Sequence, residues 1–341
     1  MKFLVITQKV DADDRNLGFF VRWIETLSEK AEVTVIANEV NEDTVMRLSR
    51  GVRVYSLGKE KGASRIRRFF RYQRFLIANL SSADGVFFHM CPEYVLAAHI
   101  LPKWFGVKTI LWYMHKEVSA RLRFATLLVD RIFTASRESC RLSSKKIEIV
   151  GHGIDADLFG GEKRNISALH LVTAGRVSPV KELRTLILGF LELRKKFPSA
   201  TFSIVGDPIT DADRVYREEL LLEFPDTRFN GGVSYSSLPE VYADATVFVH
   251  SSRTGSMDKA VLEALASGLP VFTSSEAFSE EMGVKKFKEG DSADLALKIE
   301  VAYQKGELGY NERGKSFVRE HHYIKSLIQK IIAVYVPSST I

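Results

Sequence analysis

Short apolar runs and amphipathic stretches of helix length alternate along the whole of this 341-residue chain. That alternation narrows its possible folds more than any other feature. Phe3–Thr7, Glu32–Ala37, Val52–Ser56, Gly85–His89, Lys108–Tyr113, Arg131–Ala135 and Ile147–Gly151 read as strands. Helical periods cover Phe19–Ser28, Arg65–Leu80 and Tyr94–Trp104 between them. Strands separated by helices argue for βα units, and hence for a parallel sheet. The second half repeats the rhythm, with strands at 169–174, 201–205, 228–231, 246–250 and 270–273. Its helices fall at 181–196, 211–223, 238–242 and 258–267. Apolar residues at 324, 327, 328, 331, 332 and 335 form a last helical stripe over His322–Tyr335. The polar, flexible stretch Gly160–Asn165 separates the halves. The expectation is therefore an α/β chain of two Rossmann-like domains, 1–160 and 161–321, with a C-terminal helical segment, 322–341, packing back toward the first.

Composition excludes several classes. Hydrophobic residues make up 45% and charged residues 26% of the chain, enough for a good core. The net charge of +6 favours an anionic partner, such as a nucleotide, a phosphate, a membrane surface or a nucleic acid. Cys91 and Cys140 form neither a metal spacing nor a disulfide framework, which suits a reducing cytoplasm. No run approaches the roughly 18–20 apolar residues of a membrane span. The opening MKFLVITQKV turns polar too soon for a signal peptide. No G-x-G-x-x-G follows the first strand, which disfavours a dinucleotide enzyme.

Three motifs in the second half point to a phosphate-rich ligand. Ala174–Lys181 (AGRVSPVK) joins a strand end to a helix start and carries two cations, Arg176 and Lys181. Two fixed positive charges beside free helix N–H groups suit a diphosphate. Ile204–Asp207 (IVGD) ends a strand on Gly206, where a ligand can approach the backbone. Val247–Val271 runs from a strand through a small-residue loop into a helix bearing Glu263, placed to accept hydrogen bonds from sugar hydroxyls.

Taken in order, these segments resemble the carboxyl-terminal half of the retaining glycosyltransferases of family 4 (glycosyltransferase group 1), which have the GT-B fold. GRVSPVK, IVGD, Val233–Ala245 (VSYSSLPEVYADA), Leu262–Val271 (LEALASGLPV) and the hinge-like Gly151–Phe159 (GHGIDADLF) carry the resemblance. It implies a nucleotide-sugar donor, UDP- or GDP-linked, on the C-terminal domain and an acceptor on the N-terminal domain, across a closing cleft. Arg176 and Lys181 would hold the diphosphate, and Glu263 the ribose. Gly206, Asp207 and Val233 would border the base. Metal and cofactor would not be required, because the two cations assist the leaving group. The family usually has a second glutamate eight positions before Glu263, and here that position is Gly255. Sugar recognition would then fall to Gly255, Ser256, Met257, Asp258 and Lys259, with Asp258 the nearest carboxylate. In the N-terminal half the resemblance assigns Gly18 to a turn near the donor and His115 to proton chemistry near the reacting sugar. His89 is a weaker candidate for the acceptor side, and His152 for ordering the hinge.

Residues 59–80 are the strongest feature of that half. Lys59–Arg74 holds seven cations and one anion. Ile66, Phe69, Phe70, Gln73, Leu76, Ile77 and Leu80 fall at helical spacing. This resembles a basic amphipathic helix lying on anionic lipid, with Arg65, Arg67, Arg68, Arg71 and Arg74 on headgroups. The alternative is a domain helix with a basic outer face. The full expectation is a cytoplasmic hexosyltransferase, peripheral on the inner face of the cell membrane. It would build cell-envelope glycans on a glycan or lipid-linked acceptor, and nucleic acid is not an expected partner. The alternatives are a non-catalytic nucleotide-sugar-binding protein and another GT-B enzyme, such as a sugar epimerase.

Overall fold

The computed structural model describes residues 1–160 and 168–336. Gly161–Asn165 of the expected polar break and residues 337–341 of the expected C-terminal segment lie outside the described residues. The chain forms two compact units, Met1–Gly153 with the segment from Ile324, and Ile154–Tyr323.

The first unit contains β1 (Lys2–Val10), α1 (Phe19–Ser28), β2 (Glu32–Val40), α2 (Glu42–Arg47), β3 (Val52–Ser56), α3 (Arg65–Leu80) and β4 (Gly85–His89). It continues through α4 (Pro92–Ala98), α5 (Leu101–Trp104), β5 (Lys108–Trp112), α6 (Ala120–Leu128), β6 (Arg131–Thr134) and β7 (Ile147–Ile149). Its parallel sheet has the order β3-β2-β1-β4-β5-β6-β7. Phe3–Ile6 are buried without alternation, as a strand covered on both faces requires. Chain direction along the sheet reverses after β3. Right-handed crossovers therefore put α1 and α2 on one face and α3, α4 and α6 on the other.

The expected single helix Tyr94–Trp104 is two helices. His99, at φ 51°, ends α4, and α5 restarts around Pro102. Proline has no N–H to continue an α-helical ladder, so the amphipathic period outruns the backbone that can carry it. In α3, Ser64 caps the N-terminus by accepting from the Arg67 N–H. The expected apolar stripe of this helix divides. Leu76 and Leu80 are buried together with Tyr72, while Ile66, Phe69, Phe70 and Ile77 stay exposed. Arg68 donates to Asn38 at 2.5 Å and Arg71 to the Leu57 carbonyl at 3.0 Å, so two of the five arginines turn back onto their own unit.

The second unit runs β8 (His170–Ala174), α7 (Leu183–Lys196), β9 (Thr201–Val205), α8 (Asp211–Glu223), β10 (Phe229–Gly231), α9 (Leu238–Asp244) and β11 (Val247–His250). Then follow α10 (Lys259–Ala266), β12 (Val271–Thr273), β13 (Val284–Lys286), α11 (Ser292–Gln304) and α12 (Glu312–His321). The parallel order is β10-β9-β8-β11-β12-β13. The last helix, α13 (Ile324–Tyr335), belongs to the first unit and packs on α1. Its Tyr335 hydroxyl donates to the Val86 carbonyl at 2.8 Å, and its ring meets Phe3 edge-on at 5.0 Å. A Cβ on Gly85 would stand 2.2 Å from the Tyr335 ring, so this seat requires glycine.

Candidate functional site

In the second unit the chain leaves β8 toward β9 and β10, then returns to the other side of β8 to lay down β11, β12 and β13. Strand order thus reverses between β8 and β11. Open parallel sheets bind ligands just outside the carboxyl ends of the strands at such a point. A crevice there is lined by Thr173–Arg176, Lys181, His250 and Ser251. Gly175 and Gly206, at φ 137° and 146°, bring the loops after β8 and β9 into backbone contact. A Cβ on Gly206 would stand 1.8 Å from the Gly175 carbonyl oxygen. The Gly175 N–H donates to the Val205 carbonyl at 2.9 Å and the Val177 N–H to the Asp207 carbonyl at 3.1 Å. The Asp207 carboxylate accepts from the Gly232 N–H at 3.0 Å and so braces the turn that follows β10.

Lys181 closes a 3₁₀ turn, Pro179–Lys181, where the sequence suggested the start of a longer helix. Its Nζ lies 2.7 Å from Asp258 Oδ2. The same oxygen lies 2.7 Å from His250 Nε2, and His250 Nδ1 is 2.9 Å from Thr273 Oγ1. Burial holds His250 below its ordinary value despite the pull of Asp258, so the ring is neutral. Burial opposes the Asp258 charge, yet the Lys181 ammonium and the His250 hydrogen bond hold that carboxyl well below the usual range. An ionised carboxylate only accepts. The network therefore assigns the proton to His250 Nε2, with Nδ1 accepting from the Thr273 hydroxyl. Asp258 was the expected substitute for the absent glutamate, and one of its oxygens is committed to this pairing.

Glu182, the next residue, is buried in the left-handed region at φ 46°. Its carboxylate accepts from Ser251 Oγ at 2.5 Å and pairs with Arg253 at 2.7 Å. The Arg253 N–H donates to the Val180 carbonyl at 2.9 Å. Left-handed non-glycine residues cost about 1 kcal/mol or more. Here the conformation laces the Lys181 turn to the loop that carries Asp258. Arg176 is freer, with its Nε 3.9 Å from Asp213 Oδ2 and its side chain 41% exposed.

Lys259 and Glu263 lie one turn apart on α10. Burial pushes the Glu263 carboxyl up to about 7, partly countered by the Lys259 charge and a Tyr242 hydroxyl 3.5 Å away. Burial also pulls Lys259 well below its ordinary value. Gly255 takes φ 62°, Met257 is buried in the core under the loop, and Val233 packs against that core. The Ser256 hydroxyl donates to Thr254 Oγ1 at 3.0 Å.

The remaining candidates belong to the first unit. Gly18 precedes α1, and a Cβ there would stand 2.5 Å from the Asp14 carbonyl oxygen. His115 is exposed after β5, with Nδ1 accepting from the Glu117 N–H at 3.3 Å. His89 is buried and stacked on Phe20 at 3.7 Å, with Nδ1 3.1 Å from Thr7 Oγ1, which is a core position. His152 is buried as well. Sequence reasoning passed over His250, Glu182, Ser251 and Thr273. His250 could have been noticed as a polar residue ending an apolar strand. Nothing in the sequence marked Glu182 as left-handed.

Comparison with known structures defines the fold class. Over 98% of this chain and 99% of theirs, Anabaena HepE in complex with UDP-glucose superposes with a TM-score of 0.73 at 15% identity. Sucrose-phosphate synthase from Thermosynechococcus elongatus superposes with a TM-score of 0.73 at 14% identity, over 98% of each chain. The two parallel-sheet units are those of a GT-B fold. Residues 168–305, which hold the crevice, match the family described as Glycosyl transferases group 1. The sulfoquinovosyl transferase SQD2 of Arabidopsis thaliana is 24% identical over 194 residues, 53% of this chain. The match spans only about a third of that protein's length (34%).

Proposed function

We propose that this chain is a retaining glycosyltransferase that moves a hexose from a UDP- or GDP-sugar to a glycan or lipid-linked acceptor. The placement of Arg176 and Lys181 at the strand-order reversal of the group 1 segment carries this reading. The anomeric C–O bond to the diphosphate breaks, and a bond to an acceptor hydroxyl forms on the same face. The acceptor proton passes to the departing phosphate. Arg176 and Lys181 stabilise the charge that develops on the leaving group, as fixed cations do in a water-poor site. Gly206, Asp207 and Val233 border the base, and Glu263 takes the ribose hydroxyls. The backbone of Gly255–Lys259, with the Met257 side chain turned into the core, takes the donor sugar together with Gly18, and His115 serves the proton chemistry. No resident cofactor or metal is part of this reading. UDP is favoured over GDP because structurally similar proteins bind it, HepE with UDP-glucose and TarM of S. aureus with UDP. Cytoplasmic placement, peripheral on the membrane's inner face and serving envelope glycans, completes it.

Gly255, standing where the family has a glutamate, favours a second reading, a nucleotide-sugar binder without turnover. Thermal stabilisation by UDP-, GDP-, ADP- and dTDP-sugars, followed by product analysis, separates the two. A bound ligand raises apparent stability by mass action. A shift with one nucleotide, lost in Arg176→Ala and accompanied by an α-linked product from an α-linked donor, supports transfer. A shift without turnover supports the binder, and no shift with any donor overturns both.

A further inference from the structure

The layer α3–α4–α6 leaves an unusual set of apolar side chains in water. Trp104 on α5 is 80% exposed, Phe70 on α3 66% and Phe124 on α6 62%, and Ile66, Ile77 and Leu127 are exposed with them. Single exposed apolar residues are ordinary, but several large ones on one layer mark an interaction surface. The layer is one body. Tyr72 and Gln73 of α3 donate to the carbonyls of Tyr94 and Ala97, and Lys103 of α5 donates to the Leu127 carbonyl of α6. Its charge is one-sided. α3 carries five arginines, α6 two and α5 one lysine, and Glu93 is the sole acid of the four helices.

We propose that this face docks on an anionic lipid bilayer, with Trp104, Phe70 and Phe124 entering the headgroup region and Arg65, Arg67 and Arg74 on lipid phosphates. The proposal rests on the peripheral part of the function given above, and extends it from one helix to a four-helix face. Arg65, Arg67 and Arg74 are the α3 arginines exposed to solvent, whereas Arg68 and Arg71 are held by Asn38 and Leu57. The aromatic rings share this face with the exposed aliphatic side chains of Ile66, Ile77 and Leu127, which acyl chains can take up and bases cannot stack on, and this mixture favours lipid over nucleic acid. A second copy would set one arginine face against another.

Trp104 is itself the probe, because Trp23 and Trp112 are buried. The full chain is titrated with vesicles of phosphatidylcholine containing phosphatidylglycerol, and with phosphatidylcholine alone. The expected result is a blue shift with anionic vesicles only, quenched by brominated acyl chains, reversed by salt and absent in Trp104→Phe. An arginine near an anionic surface adds about a fivefold factor in partitioning. Replacing Arg65, Arg67 and Arg74 with Gln should therefore weaken binding roughly 100-fold, and Phe70→Ser with Phe124→Ser should abolish the quenching. Retained melting temperatures in these variants exclude misfolding. Equal binding to neutral vesicles, no quenching, or a blue shift that grows with protein concentration without vesicles overturns the proposal. Donor-induced thermal shifts on the same samples report the transfer reading separately, so either can fail alone.

Discussion

At the scale of single residues, the crevice turns on what holds Lys181. Its ammonium is paired with Asp258, and the next residue, Glu182, ties the turn to Ser251 and Arg253, so the cation is oriented before any ligand arrives. Lys181→Ala and Arg176→Ala should each lower transfer by about 100-fold or more, as loss of charge stabilisation does, with the melting temperature little changed in Arg176→Ala. Asp258 has a depressed pKa in the folded chain, so its stabilisation is complete above the ordinary carboxylate value and decays as pH falls below about 4. Melts at pH 5 and pH 3 should show a smaller loss for Asp258→Asn than for the native chain. Glu263 behaves oppositely. Its pKa is raised from 4.5 to about 7, so the folded chain keeps a proton that the unfolded chain has lost between those values. Stability should fall as pH rises through that window, and Glu263→Gln should flatten the fall. The two cations at this crevice, Arg176 and Lys181, were legible because GRVSPVK sets them at a strand end; Glu182 was not, because nothing in the sequence marks it as buried or left-handed. The Asp258–His250 pair was not, because β11 and the end of the loop that follows it must fold before those side chains meet.

At the scale of elements, caps and breakers decided what could be read. Phe19–Ser28, Arg65–Leu80 and Asp211–Glu223 match their expected spans, and Ser64 and Thr210 cap the last two. β13 is three residues long, and α11 and α12 passed unread, since β13 offers only Val284, Lys285 and Lys286 to a pattern search. His99 separates α4 from α5 in a positive-φ conformation that glycine adopts freely. His99→Gly should raise stability by about 1 kcal/mol, measured by denaturant midpoint. Gly206→Ala should do the reverse and also weaken donor binding, because its Cβ would force the loops after β8 and β9 apart. A preserved donor-induced thermal shift in that variant would contradict the placement of the crevice.

At the scale of the whole molecule, one unit is continuous in the chain and the other is not. Unit 2 runs unbroken from Ile154 to Tyr323, whereas unit 1 is completed by α13 from beyond it. Ending the chain at Tyr323 should strip the cover from Phe3, Gly85 and Val86. Calorimetry should then show the transition of unit 1 lowered or lost while that of unit 2 persists. The same arrangement sets a schedule during synthesis. A ribosome releases the strands of unit 1 first but delivers Tyr335 only after all of unit 2 has emerged. The first-made sheet waits with an apolar trough open, and the later-made unit is the first to close. A holding chaperone acting on the nascent chain should bind that trough, and it should be displaced when α13 arrives.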